Sequence, residues 1–223
     1  MKKGIFVALT LIGLSLFIST LTFAQTNIPA SATVPGPTAV DPSVIKVMGT
    51  GSSPANWDGE VSSMSFDPLT LNTFPNPDPT KAPFQVFLPD HFFSIDMGYL
   101  YGPGTSITQI TTSYSDTLSP QTHGLGWKTT ATFVRKFILP DGSEKTESLP
   151  ADLAPGTTGK ILLKDVTSKS FLLSQISPGW LRMYVGIVTK DPAAILPDPT
   201  LAEVFSPGDT AGTYAGNLVI SSL

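Results

Sequence analysis

The chain has 223 residues, a formal net charge of −4, 13% charged and 41% hydrophobic residues, and no cysteine. This apolar content argues against a disordered chain, and a mildly acidic chain without Lys/Arg clusters is unsuited to nucleic acid or anionic membrane surfaces. The absence of cysteine excludes disulfides and an N-terminal lipid anchor. An exported protein of this kind fits a bacterial periplasm or cell surface better than the disulfide-dense secreted domains of eukaryotes.

The first residues have the pattern of a secretory leader. Lys2 and Lys3 precede an apolar run from Ile5 to Ile18, and small residues before Gln25 offer a cleavage point after Ala24. An uncleaved membrane anchor is the alternative, but polar residues interrupt the run, and a spanning helix needs about 20 apolar residues. The sequence therefore predicts a signal peptide at 1–24 and a secreted, periplasmic or surface protein with no membrane span after cleavage.

Residues 25–42 form a segment rich in Pro, Ala, Ser and Thr. One interpretation is a disordered tail. The other is an extended arm that adds itself as a strand to a neighbouring subunit, with its prolines at strand ends or at a sheet edge. The candidate assembly residues are the alternating positions Ile28, Ala30, Ala32 and Val34.

A single β domain is predicted over residues 43–223. Its first half contains Asp67–Pro83, whose five prolines predict a long surface loop that could serve as a binding element. Short apolar and β-branched runs bounded by Gly and Pro predict strands around this loop. These strands are Ser43–Met48, Glu60–Phe66, Gln85–Leu88, Phe92–Tyr101 and Ser106–Tyr114.

In the second half, Trp127–Leu139 is the longest alternating segment. It is followed by Pro140-Asp141-Gly142-Ser143, a hairpin signal that predicts an antiparallel return over Glu144–Leu149. Lys160–Val166 and Ser170–Ile176 are predicted to form a second hairpin. Trp180–Val188 is apolar on both faces, which is typical of a central strand.

The last predicted strand follows a turn of Gly, Pro and Asp, with Tyr214, Leu218 and Ile220 on one face. Single helical turns are predicted only at Asp191–Leu196 and Thr200–Glu203. About ten short strands predict an all-β fold, an antiparallel β-sandwich of Ig-like or jelly-roll type with minimal helix. The pattern leaves the strand order open.

No group of residues predicts catalysis. His91 and His123 lie in different predicted loops without metal-ligand spacing, and no nucleophile elbow, phosphate loop or paired carboxylates can be recognised. Turn chemistry explains the acidic residues around Asp141 better than a calcium site. We therefore predict no enzyme activity, no catalytic residues, no metal and no cofactor.

Aromatic side chains give an alternative. Trp57 and Trp127 could contact a glycan by stacking on sugar rings, although aromatics in half-buried strands ordinarily belong to the core or to a sheet face.

The end of the chain, Gly212-Thr-Tyr214-Ala-Gly216-Asn-Leu218-Val-Ile220, resembles the closing strand of secreted bacterial β-sandwich subunits. Among these are chaperone–usher-type pilins and their spore-coat-like relatives. The resemblance implies that the N-terminal arm completes the sheet of the next subunit, so that the partners are copies of this chain or other surface proteins.

The predicted function is therefore a non-enzymatic, exported structural or surface-assembly subunit that polymerises by strand addition. A carbohydrate-binding or adhesive module is the alternative, and an exported hydrolase is a third possibility that no visible motif supports.

Overall fold

Most of the described chain is extended backbone. The computed structural model describes residues 30–33, 44–49, 59–76, 78–97, 109–150, 153, 159–167, 169–176, 178–187 and 202–222. Helix within these ranges is limited to α1 (Leu125–Lys128), α2 (Leu173–Ile176) and one 3-10 turn at Leu163–Asp165. The strands are β1 (Ala30–Thr33), β2 (Val44–Gly49), β3 (Gly59–Glu60), β4 (Met64–Ser65), β5 (Thr70–Phe74), β6 (Phe84–Leu88), β7 (His91–Met97), β8 (Gln109–Leu118), β9 (Thr129–Ile138), β10 (Glu144–Ser148), β11 (Lys160–Leu162), β12 (Lys169–Leu172), β13 (Trp180–Ile187) and β14 (Tyr214–Ser222).

These strands form three sheets. The first sheet has the order β12-β8-β14-β1-β4, and the second has the order β10-β9-β13-β7-β2-β3 with β11 also paired to β9. A third sheet consists of β5 and β6 alone. All pairs are antiparallel except β1 with β14, which is parallel. The predicted all-β antiparallel sandwich with minimal helix is confirmed.

The first and second sheets share one apolar core. Tyr114, Phe171 and Leu218 enter it from the first sheet, and Phe133 and Met183 enter it from the second. Burying such side chains between two sheets is the main favourable contribution to folding. Strand β13 lies between β9 and β7 and is buried at all eight of its positions. Its predicted central place is therefore confirmed.

The hairpin that joins β9 to β10 also forms as predicted. Gly142 has a φ of +85°, a conformation that residues with a side chain rarely adopt. The Asp141 carboxylate accepts hydrogen bonds from the Ser143 backbone N–H at 2.9 Å and from its hydroxyl at 2.6 Å. These bonds are the turn chemistry predicted for Asp141.

The predicted strand Glu60–Phe66 is wrong as one element. Its beginning, β3, pairs with β2 in the second sheet, whereas β4 pairs with β1 in the first sheet. Val61 and the two serines after it are exposed, while Met64 and Phe66 are buried. The chain changes sheets here, and alternation of residue types does not reveal such a change because both halves keep the same period.

The predicted surface loop Asp67–Pro83 is also corrected, because it contains β5. This strand pairs antiparallel with β6, and the Phe74 and Phe84 rings stack at 5.6 Å. The prolines flank β5 and do not fall inside it, so the hydrogen bonds of the pair survive.

The second predicted hairpin does not form. Strand β11 pairs with β9 in the second sheet, whereas β12 pairs with β8 in the first sheet. The 3-10 turn between them buries Leu163 and leads to the buried Val166, so this segment crosses the core. The C-terminal part of the predicted second strand is α2.

Two smaller differences concern helix. Trp127 lies in α1, two residues before β9 begins, and is not part of the strand. Ala202 and Glu203 are not helical, and the remainder of the turn predicted there, like Asp191–Leu196, lies outside the described residues.

The Tyr114 side chain fits its site only because two neighbouring positions are glycines. Its hydroxyl donates to the Asp116 carboxylate at 2.8 Å, and burial, together with this carboxylate, raises the pKa of Tyr114. A Cβ at Gly126 would lie 2.6 Å from the ring, and a Cβ at Gly216 would overlap its hydroxyl. The second glycine of the Gly-x-Tyr-x-Gly sequence therefore makes room for a tyrosine of the neighbouring strand β8.

We expect Gly216→Ala to lower the free energy of unfolding by about 1–3 kcal/mol, since the added methyl overpacks a buried site. The matched control is Gly208→Ala, whose Cβ would meet nothing closer than the Ser206 Oγ at 3.6 Å. Urea denaturation of both variants measures the difference. Equal stability of the two variants would contradict the assigned role of Gly216.

Candidate assembly site

The C-terminal strand β14 is the centre of the first sheet. On one side it pairs antiparallel with β8, and on the other its residues 214–217 pair in parallel with β1. Tyr214 and Leu218 are fully buried and Ile220 is half-buried, whereas Val219 between them is exposed. The three residues predicted to share one face of this strand therefore lie on its buried face.

The predicted arm contributes β1 to the same sheet. Ala30 lies opposite Tyr214, and Ala32 lies opposite Gly216 on one side and Met64 on the other. The other two predicted assembly residues, Ile28 and Val34, lie outside the described residues. In a single copy of the chain, the described part of the arm thus pairs with the chain's own C-terminal strand. This part of the arm lies upstream of residue 43, where the domain was predicted to begin.

Other strand pairings in the first sheet depend on β1. It has four residues and is bonded along both edges, and the two-residue β4 joins the first sheet only through it. Withdrawing β1 would leave one edge of residues 214–217 without the partners described here. Unpaired N–H and C=O groups at a sheet edge are a template for another strand.

Tyr214 is fixed at the start of β14 by several contacts. Its hydroxyl donates to the Thr210 carbonyl at 2.8 Å, and its ring meets the Phe205 ring edge-on at 4.9 Å. Burial, with the Asp209 charge, raises the pKa of Tyr214 to about 12, so the hydroxyl stays a neutral donor at physiological pH. Gly212 supplies the φ of +152° that the turn before Tyr214 requires.

Trp127, the described member of the predicted glycan-contact pair, is half-buried and already has partners for its ring. The His123 ring stacks on it at 4.1 Å, and the Lys164 ammonium lies 4.3 Å from its centroid. His123 in turn contacts the Glu203 carboxylate at 2.6 Å. Trp57, the other member of the pair, lies outside the described residues. The glycan contact stays a prediction.

A buried charge pair on the second sheet was not predicted from the sequence. The Asp96 carboxylate accepts from the Arg182 Nε at 2.5 Å and Nη2 at 2.7 Å, and from the Trp180 indole at 2.9 Å. The Lys136 ammonium, 3.3 Å from Glu144, lies nearby, and burial with the Arg182 charge lowers the pKa of Lys136. The sequence did contain a signal for this pair, because one acid and one arginine each lie at an alternate position inside an apolar strand.

Among the described residues, no group of three or more His, Cys, Asp or Glu side chains is arranged to hold a metal ion. No helix in these ranges is long and apolar enough to cross a membrane. His91 contacts Asp90 at 2.7 Å and the Ser65 carbonyl at 2.5 Å. No protein-family model, curated protein or solved structure matches the chain. The functional argument therefore rests on the geometry of these residues.

We expect Asp96→Ala to lower the free energy of unfolding by about 3–5 kcal/mol, because it leaves the Arg182 charge buried without its carboxylate. The control is Glu147→Gln, which removes the charge of a partly exposed carboxylate 2.7 Å from Arg135 and should change stability little. Chemical denaturation followed by tryptophan fluorescence compares the two. A loss in the control as large as that in Asp96→Ala would contradict the distinction.

Proposed function

We propose that the chain is an exported, non-enzymatic structural subunit that assembles with copies of itself by exchanging the N-terminal strand β1. The observation that supports this proposal most directly is the pairing of β1 between β14 and β4. The predicted leader at 1–24 and the resemblance of the C-terminal strand to those of secreted fibre subunits point in the same direction.

Strand β1 is suited to exchange by its topology. All the other described strands follow it in the chain, so β1 is joined to the rest of the described sandwich only through its C-terminal side. It can therefore leave the sheet without threading a loop. An identical β1 from a second copy would restore the same backbone hydrogen bonds, so exchange costs little free energy once copies are concentrated.

The connection to the remainder of the fold is long enough for such an exchange. Ten residues, 34–43, separate β1 from β2, and a fully extended segment of that length spans up to about 35 Å. The donor strand and the accepting edges are different surfaces of the chain. Their contact is therefore heterologous, and repeated exchange produces a ring or an open fibre.

The absence of native cysteine permits a direct test. Ser31 lies opposite Ser65 in the antiparallel pair of β1 and β4, a separation that a disulfide can bridge. We expect Ser31→Cys protein mixed with Ser65→Cys protein, concentrated and oxidised, to yield disulfide-linked heterodimers. Non-reducing electrophoresis and electron microscopy of the untreated protein measure linkage and assembly.

The matched control pairs Ser31→Cys with Ser113→Cys, because Ser113 lies on β8, on the other side of β14 from β1. That mixture should give no preferential heterodimer. A chain carrying both Ser31→Cys and Ser65→Cys should form the bond internally when dilute. If it always does so, and the two single variants never link at any concentration, β1 does not exchange and the proposal is wrong.

A further inference from the structure

A nearly buried lysine is hydrogen-bonded to one carboxylate and lies close to a second, just before the C-terminal strand. The Lys128 side chain is 2% exposed, and its Nζ lies 2.8 Å from the Asp209 Oδ1 and 3.9 Å from the Glu203 Oε2. The Nζ also lies 4.9 Å from the centre of the Phe205 ring, which is fully buried. An amine, a carboxyl group and a second carboxylate thus meet beside an aromatic wall.

Both oxygens of the Asp209 carboxylate accept hydrogen bonds. The Gln121 side-chain amide donates to Oδ1 at 2.8 Å, and the Ser206 backbone N–H donates to Oδ2 at 2.6 Å. Burial opposes ionisation of Asp209, but the hydrogen bonds donated to it outweigh burial and lower its pKa, so the resting pair is ionic. The same donors are placed to stabilise negative charge on an oxygen of a tetrahedral intermediate.

We propose that Lys128 and Asp209 are a site of covalent modification, in which the two side chains condense to an intramolecular amide with Glu203 as the proton carrier. The Lys128 ammonium gives a proton to Glu203, which passes it to the Asp209 Oδ1, so that the neutral amine attacks the Cγ of a neutral carboxyl group. A second proton then moves from the attacking nitrogen through Glu203 to Oδ1, which leaves as water. One N–C bond forms, one C–O bond breaks, one water leaves, and Glu203 is regenerated.

Geometry supplies the driving force for this condensation. In water an amine and a carboxylate remain a separate ion pair, but groups held in contact reach effective molarities of about 10⁵–10⁸ M. The Asp209 side chain is only 11% exposed, so the amide is shielded from hydrolysis once the released water has left. Glu203 is 43% exposed and its other oxygen contacts His123, which connects the proton carrier to the surface.

The bond would cross-link a chain that has no cysteine. Lys128 and Asp209 are separated by 81 positions, and a cross-link that closes such a loop stabilises mainly by restricting the unfolded chain. It would attach the segment before β14 to the end of α1. The amide is independent of strand exchange, so either proposal can fail without the other.

Peptide mapping of the purified full chain tests the amide. We expect trypsin not to cleave after Lys128, and mass spectrometry to find the Lys128 peptide joined to the Asp209 peptide, lighter by one water. The conservative variant Lys128→Arg retains the positive charge but should give separate peptides. Glu203→Gln should give little or no joined peptide, because the amide cannot carry the proton.

Lys136→Arg is the matched control, since Lys136 is also nearly buried but its partner Glu144 is 41% exposed. That variant should retain the joined peptide. Only separate, full-mass peptides in the wild-type map would overturn the proposal, whether or not the variants fold. A joined peptide of undiminished yield in Glu203→Gln would overturn the role of Glu203.

Discussion

The backbone hydrogen bonds along the two edges of β14 hold the first sheet together. The strand is bonded to β8 on one side and to β1 on the other, so the two ends of the described chain meet at the centre of one sheet. Each buried N–H and C=O group of a central strand requires a partner. This requirement makes β1 necessary to the described sheet, and it is the basis on which exchange of β1 between copies is proposed.

Two groups of side chains fix the position of β14 in the sandwich. Tyr114 fills the space above Gly216, and Tyr214 is bonded to the turn that precedes it. The same turn contains Asp209, which contacts the buried ammonium of Lys128. Polar contacts of this kind specify a geometry because each partner left alone would be a buried, unsatisfied group. Such contacts lie at the start of β14 and, through Asp96 and Arg182, between β7 and β13 of the second sheet.

Alternation of residue types correctly predicted the strands that have one buried and one exposed face, and the strand that is apolar on both faces. The core face of β14, the two-sided burial of β13 and the turn at Asp141 all follow from local rules. The same rules failed at residues 60–66 and 160–176, where the chain passes from one sheet to the other. A crossing keeps the alternation on both sides and changes only the partner, which no single segment contains.

The sequence by itself determined the all-β class and the absence of disulfides, because composition, period and turn residues are local properties. It left open whether the segment 25–42 is a tail or a strand. Only the tertiary structure decided that this arm pairs with the C-terminal strand and that Lys128 meets Asp209. Residues separated by 81 positions or more come together only when two sheets pack. That packing depends on the whole core and not on any one segment.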